Sequence, residues 1–357
     1  MRRPVFDHGV VRLPFGLKLA LVGLVALLLG SALPRRSHAA DPDTPTASVA
    51  SAAIADDAKP IYLPVAFKSS STCARVYSAA SPWNTKIASS PAYDPQSDYY
   101  ITGLTDLFGV DPTQYAFPVY EVTSSTPQRT VYLSGAFSNV TDNDTRVIWQ
   151  GGGSVTVPIP AGAAQSAGTD GNIIFWNRQT GDEWGFFRAS DSGNGTWQAT
   201  NGYHYNTGWD GVPSANSSTF VSRGLGGPYL AGLVRPCEID QGQIDHAIAF
   251  AYDNPSADFV YPAIKSNGSG SGPALPEGAR LQLDPKLGDS QIRVWGCTGN
   301  CLIIAHALQQ YGMIVVDRSS HPKIYAEYEA TAHWNGRVTA ATVSAIPYSA
   351  FKVLKLK

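Results

Sequence analysis

Short apolar segments separated by turn-forming residues dominate the first half of the chain. Segments 117–122, 129–133, 145–149, 154–159, 172–177, 183–188 and 195–199 carry β-branched and aromatic residues, the composition of strands on a pleated, half-buried surface. Asn143-Asp144, Gly151-Gly152-Gly153 and Gly193-Asn194-Gly195 lie between them and supply the backbone freedom that tight turns demand. Ile173–Trp176 and residues 184–187 are joined by residues 177–182, with Gly181 near the end, the pattern of a hairpin. Strands recurring at about ten residues suit a sandwich or jelly roll.

A second pattern begins at Leu225. Glycines and a proline lead into a short apolar run, 230–234, after which Arg235, Pro236, Cys237 and Glu238 stand side by side. Beyond a glycine-broken turn, residues 244–252 hold no internal Pro or Gly, predicting a core strand with His246 near its start. Residues 300–311 set Leu302, Ala305 and Leu308 on one helical face, with Gly312 as the stop. Residues 313–317 and 324–328 read as two more core strands, and the weakly patterned tail, 339–356, as a last one. Residues 202–222, poor in aliphatics, and 266–273, rich in Gly and Ser, read as loops. The expected fold is mainly β: a β-sandwich or jelly-roll-like single domain over residues 73–357, with one packed α-helix.

Composition adds a compartment. Of 357 residues, 43% are apolar and only 15% charged, a balance common in exported β-rich chains. Arg2, Arg3, Arg12 and Lys18 precede an uninterrupted apolar run, 19–29, and the segment closes on Ser37-His38-Ala39. Residues 1–39 therefore read as a cleaved signal peptide, the run being short for a bilayer span. Residues 40–72, rich in Ala, Ser, Thr and Pro, read as a flexible tether. Losing the signal removes six Lys and Arg and one acidic residue, taking the net charge from −2 to −7. An acidic chain without a basic cluster is a poor partner for nucleic acid. Cys73, Cys237, Cys297 and Cys301 make an even count, which in an exported chain predicts disulfides with three possible connectivities. Cys297 and Cys301 can pair locally, leaving Cys73 to reach Cys237. A four-thiolate zinc site is the alternative, although no C-x-x-C pair is present.

Candidate chemistry follows from a few polar residues. His246 with Glu238, Asp245 or Asp170 is the leading acid–base group, since an imidazole oriented by a carboxylate exchanges protons near neutral pH. The competing reading is a buried histidine that pins its strand. Arg235 is either a structural partner of Glu238 or a fork for a sugar carboxylate. Asp170 lies at a strand mouth, and Asp182 or Glu183 across the hairpin is placed to complete a glycosidase carboxylate pair. Of the nearby aromatics, Trp176 and one of Trp184 or Trp197 belong to the core. Tyr203, Tyr205 and Trp209, with Trp184 and His204, form a candidate sugar-stacking set, because aromatic faces offer large contact area at little entropic cost. His204 with Tyr203 or Tyr205, and Arg235 or Asn206 neutralising a carboxylate, is also the set for β-elimination from a uronic acid. Glu277 in Pro-Glu-Gly reads as a turn residue. The chain holds no G-x-S-x-G elbow, H-E-x-x-H, phosphate-binding loop or dinucleotide fingerprint. No cofactor is expected, while His204, Asn206 and Asp210 leave a structural cation open.

Several segments together resemble a family of exported bacterial β-rich proteins. They are Pro82-Trp83-Asn84, Thr169-Asp170-Gly171, Leu230 to Arg235 running into Glu238 and His246-Ala247, the turn at 276–280, and Tyr311 to Asp317. Members of that family commonly carry a histidine shortly after the Asp-Gly pair, where this chain has Asn172. The resemblance implies action on polysaccharides. The expectation is a secreted, extracellular glycoside hydrolase using carboxylates and a histidine, with Asp170, Glu238 and His246 catalytic. The alternatives are a polysaccharide lyase, or a non-catalytic carbohydrate-binding protein held at the cell surface by the tether. Its partner is a polysaccharide rather than nucleic acid, it leaves the membrane on signal cleavage, and it is expected to act as a monomer.

Overall fold

Strand formation follows the apolar alternation. A computed structural model describes residues 73–140, 147–214, 220 and 222–357; the expected signal peptide and tether lie outside them, as does part of the expected strand at 145–149. All described residues belong to one unit, Val65–Lys357. Its first half holds β1 (Gly109–Val110), β2 (Val119–Glu121), β3 (Gln128–Val140), β4 (Val147–Pro158), β5 (Ile173–Trp176), β6 (Asp182–Phe187), β7 (Ser190–Gly193), β8 (Thr196–Ala199) and β9 (Asn201–Asn206). Then follow β10 (Ile248–Tyr252), β11 (Arg280–Leu283), β12 (Met313–Arg318), β13 (Lys323–Ile324) and β14 (Phe351–Val353). The expected hairpin is β5–β6, with Ile173 opposite Phe186 and Trp176 opposite Glu183.

Two mixed sheets result. One runs β1-β13-β10-β12-β11-β14; the other runs β2-β5-β6-β9-β3-β8-β7, with β4 paired to β3. At the middle of the first, β10 and β12 lie parallel, and α4 (Asn300–Gln310) leads into β12. Both faces of β10 are covered, which explains its nearly continuous apolar sequence. Ile248, Phe250 and Tyr252 point into a core shared with Leu302, Ile304 and Leu308 of α4. Ala249 and Ala251 point the other way, into a second core that also takes Ile174, Trp176, Tyr203 and Tyr205 from the eight-stranded sheet. Ile173, Phe175, Phe186 and Trp197 fill a third core on that sheet's far side. The molecule is thus mainly β, two sheets sharing a central core, with burial of each large apolar side chain worth about 1.5–3 kcal/mol.

Three local readings are corrected. The core strand begins at Ile248, so His246 precedes it. The stretch read as a loop from 202 opens with β9, which pairs antiparallel with β6, Trp184 facing His204. Its Gly-Tyr-His-Tyr-Asn alternation is a strand pattern hidden by counting tyrosine as polar. Short helices α1 (Ser97–Ile101), α2 (Pro236–Gln241), α3 (Asp289–Val294) and α5 (Glu329–Ala332) accompany the one long helix. The four cysteines form two disulfides, Cys73–Cys237 and Cys297–Cys301, so none remains as a zinc thiolate. Among the described residues, no helix is long and apolar enough to cross a membrane.

Candidate functional site

Asp317 comes at the end of β12 in one sheet, and Asp170 just before β5 in the other. Both line one cavity of about 270 Å³, together with Phe117, Asn172, Arg223, Tyr229, Asn267 and Tyr325. Neither carboxylate lies within ion-pairing distance of a cation among the described residues. Asp317 Oδ1 accepts hydrogen bonds from Asn267 Nδ2 at 2.7 Å and from the Arg318 amide at 2.9 Å. Desolvation raises its pKa, against the lowering effects of Asn267 and the Arg223 charge. Asp170 is half-buried, with its own carbonyl accepting from the Arg188 amide at 2.7 Å. Asn172, standing where the resembled family has histidine, is buried beside it.

Behind Asp317 lies Glu277, which sits in the expected turn, closed by the Ala279 amide donating to the Pro276 carbonyl, and is fully buried there. The Asn267 amide reaches its Oε1 at 3.4 Å, and its Oε2 has no partner among the described residues. Burial, then the charge of Asp317, pushes Glu277 up to about 9, so at neutral pH it carries a proton. Asn267 therefore ties two acids together, its side chain on one and its backbone on the other. Gly224 makes this packing possible: a Cβ there would come 2.5 Å from Glu277 Oε1 and 2.7 Å from Asn267 Oδ1, closer than carbon is tolerated.

Arg223 and three rings form the remaining wall. The guanidinium lies 5.3 Å from the Phe117 ring, 5.8 Å from Tyr229 and 5.6 Å from Tyr325, within cation–π range. Its Nη1 donates to the Ala231 carbonyl at 3.1 Å and its Nη2 to the Tyr229 carbonyl. Both phenols are pushed up, first by burial and then by Asp317, with Asp170 adding to the effect. Both carboxylates thus act on the same two tyrosines.

The expected catalytic group is divided. Glu238 and His246 come together, His246 Nε2 lying 2.9 Å from Glu238 Oε1, but they line a different cavity of about 130 Å³ that does not include Asp170. The other ring nitrogen, Nδ1, lies 2.9 Å from the Ala247 carbonyl. Both nitrogens therefore lie against protein oxygens, one of them the Glu238 carboxylate. Glu238 is equally committed. It accepts from the Arg235 amide at 2.9 Å, capping α2, and from Arg235 Nη2 at 2.8 Å. Burial opposes ionisation, but the Arg235 and His246 charges outweigh it and hold Glu238 at about 2. Arg235 also donates to the Ala74 carbonyl, so its guanidinium is a structural partner rather than a substrate fork.

The aromatic set divides as well. Tyr203 and Tyr205 are buried, and Glu183, read as a second catalytic carboxylate, is sealed with them. Its oxygens accept from Tyr77 Oη at 2.7 Å, Tyr203 Oη at 2.6 Å and the Leu230 amide at 3.0 Å. These tyrosines cannot stack on a ligand, nor serve with His204, which points to the opposite face of β9. There His204 stacks on Trp184, centroids 4.9 Å apart, and its Nε2 lies 2.8 Å from Asp182. Trp209 is half-buried and packs edge-on against Tyr205. Among the described residues no group of three or more His, Cys, Asp or Glu is placed to hold a metal ion.

Of the residues lining this cavity, the sequence patterns single out Asp170 but not Asp317, Arg223, Asn267 or the two tyrosines. Asp317 had a signal: it is the polar residue that ends a core strand, where open sheets present ligand groups. Arg223 had a weaker one, being a lone charge ahead of a glycine- and proline-rich apolar run. No family model matches the chain, and comparison with curated proteins and with solved structures found no match.

Proposed function

We propose that the chain is an exported glycoside hydrolase acting on an extracellular polysaccharide, with the Asp170–Asp317 cavity as its active centre. The observation carrying this reading is the convergence of two carboxyls from different sheets on one polar, ring-walled cavity. Hydrolysis of a glycosidic bond needs one acid to protonate the leaving oxygen and one carboxylate to act as base or nucleophile. Asp170 and Asp317 would divide these two roles between them, Asp317 being the one that desolvation raises. A raised catalytic acid retains its proton nearer neutral pH, which favours transfer. The cavity is slightly smaller than the ~300 Å³ at which drug-sized sites begin, so it takes one ring at a time, such as a chain end.

Elimination is the weaker reading. The lyase base would be a tyrosine, and both Tyr229 and Tyr325 are pushed further from ionisation by burial. The signal-like residues 1–39 and the resemblance to exported bacterial β-rich proteins support secretion and a polymer substrate. The test is incubation of the mature protein with a panel of polysaccharides and assay of reducing ends and unsaturated products. Reducing ends should appear and fall at least about 100-fold in both D170N and D317N, the size of a lost acid–base contribution, with the fold retained by circular dichroism. Binding without any product would favour a carbohydrate-binding protein instead.

A further inference from the structure

Arg223 is the feature the proposed chemistry leaves unused. It is 4% exposed, yet no carboxylate lies within ion-pairing distance of it among the described residues. A guanidinium carries five N–H donors. Two are spent on the Ala231 and Tyr229 carbonyls, and Nε has no acceptor among the described residues. Burying a charge without a counter-ion costs several kcal/mol, so such an arginine calls for a reason. Its orientation is fixed by Phe117, Tyr229 and Tyr325 packed against it, and it lines the same cavity as Asp170 and Asp317.

We infer that Arg223 receives the carboxylate of an acidic sugar, so that the site takes uronic-acid units in preference to neutral ones. The inference rests on the hydrolase reading for its sugar and on Arg223 for its charge. Three features support it. Guanidinium matches carboxylate in planarity and donor spacing. Attraction strengthens where water is excluded, and an incoming carboxylate would meet the guanidinium directly, whereas Asp317 and Glu183 act on it only from beyond ion-pairing distance. The three rings, themselves buried, hold the guanidinium fixed for that contact. Arg235, the fork expected from sequence, is excluded from this role by its pairing with Glu238.

Calorimetric titration of the D317N protein, in which turnover is silenced, decides the matter. The probes are galacturonate and glucuronate oligosaccharides, their methyl esters, and the corresponding neutral oligosaccharides. Acidic oligosaccharides should bind about ten- to a hundredfold more tightly than the esters or neutral sugars, the span of one charge-assisted hydrogen bond. Adding R223Q should remove that preference, and R223K should restore part of it. Equal binding of acid and ester, binding of neither, or an R223Q protein that folds and keeps the preference would overturn the inference. Should R223Q fail to fold, the comparison of acid with ester still decides. Tight, Arg223-dependent uronide binding with no turnover in the unmodified protein would sink the hydrolase reading and keep this one. Cleavage of neutral and acidic polymers at equal rates would do the reverse.

Discussion

Glu277 and Glu238 are both sealed from solvent, yet folding moves their carboxyls in opposite directions. Burial, then Asp317, lifts Glu277 from 4.5 to about 9. An acid whose folded value is raised contributes fully below its unfolded value, and that contribution is lost as pH climbs through 4.5 toward about 9. Glu277→Gln should therefore melt like the parent near pH 4 and be more stable at pH 8, by a few kcal/mol at about 1.4 kcal/mol per pH unit. Melting curves from pH 4 to 9 check this, and a variant retaining the parent's alkaline decline would clear Glu277 as its cause. Glu238 runs the other way. Burial would raise it, but Arg235 and His246 hold it at about 2, so its contribution is present above 4.5 and lost as pH falls toward about 2. Glu238→Gln should cost about 3 kcal/mol at pH 7 and almost nothing at pH 2. An equal loss at both pH values would mean that capping of α2, rather than charge, is what the glutamate supplies. The pairing of Glu238 with Arg235 was one of the two readings of that stretch, whereas the role of Glu277 was not legible beforehand. Pro-Glu-Gly is an ordinary turn composition, and what buries Glu277 is Asn267, 10 residues before it, together with Gly224 from farther up the chain.

Among elements, legibility depended on where the polar atoms of a strand go. The β5–β6 hairpin and α4 were readable because their buried positions are apolar and recur at the right period. β9 was not, since Tyr203 buries as completely as a phenylalanine only because Glu183 accepts its hydroxyl hydrogen. Gly185 belongs to the same arrangement: a Cβ there would fall 2.3 Å from the Tyr203 ring, so β6 leaves space for the ring on β9. The disulfides were readable as a set of four, with the local pair suggested by spacing. Their loops differ greatly, 164 residues for Cys73–Cys237 against 4 for Cys297–Cys301. On chain-entropy grounds the long loop is worth about 5 kcal/mol and the short one about 2. Replacing Cys73 and Cys237 by alanine should therefore lower the denaturation midpoint by more than the same change at Cys297 and Cys301. Equal losses in urea titrations would show that local packing, not loop closure, sets their value.

On the scale of the whole molecule, the candidate site exists only because the two sheets share a core. Asp317 belongs to one and Asp170 precedes a strand of the other, a pairing no local pattern in the sequence announces. The same joint is held by Glu183, which β6 carries into the central core, where Tyr77, Tyr203 and the Leu230 amide all donate to it. Chains of this length often unfold in steps. Here the central core draws Ile174 and Trp176 from one sheet and Ala249, Ala251, Ile314 and Val316 from the other, so exposing either sheet strips the other of its packing. A single unfolding transition is therefore expected, with far-ultraviolet and near-ultraviolet circular dichroism coinciding. Glu183→Ala orphans buried donors at about 1–3 kcal/mol each and should shift that one transition down without splitting it. Two separated transitions in the parent protein, or an early loss of tryptophan signal while the remaining secondary structure persists, would mean that the sheets are independent. The cavity between them would then be too loosely built to hold two carboxyls in register across a sugar ring.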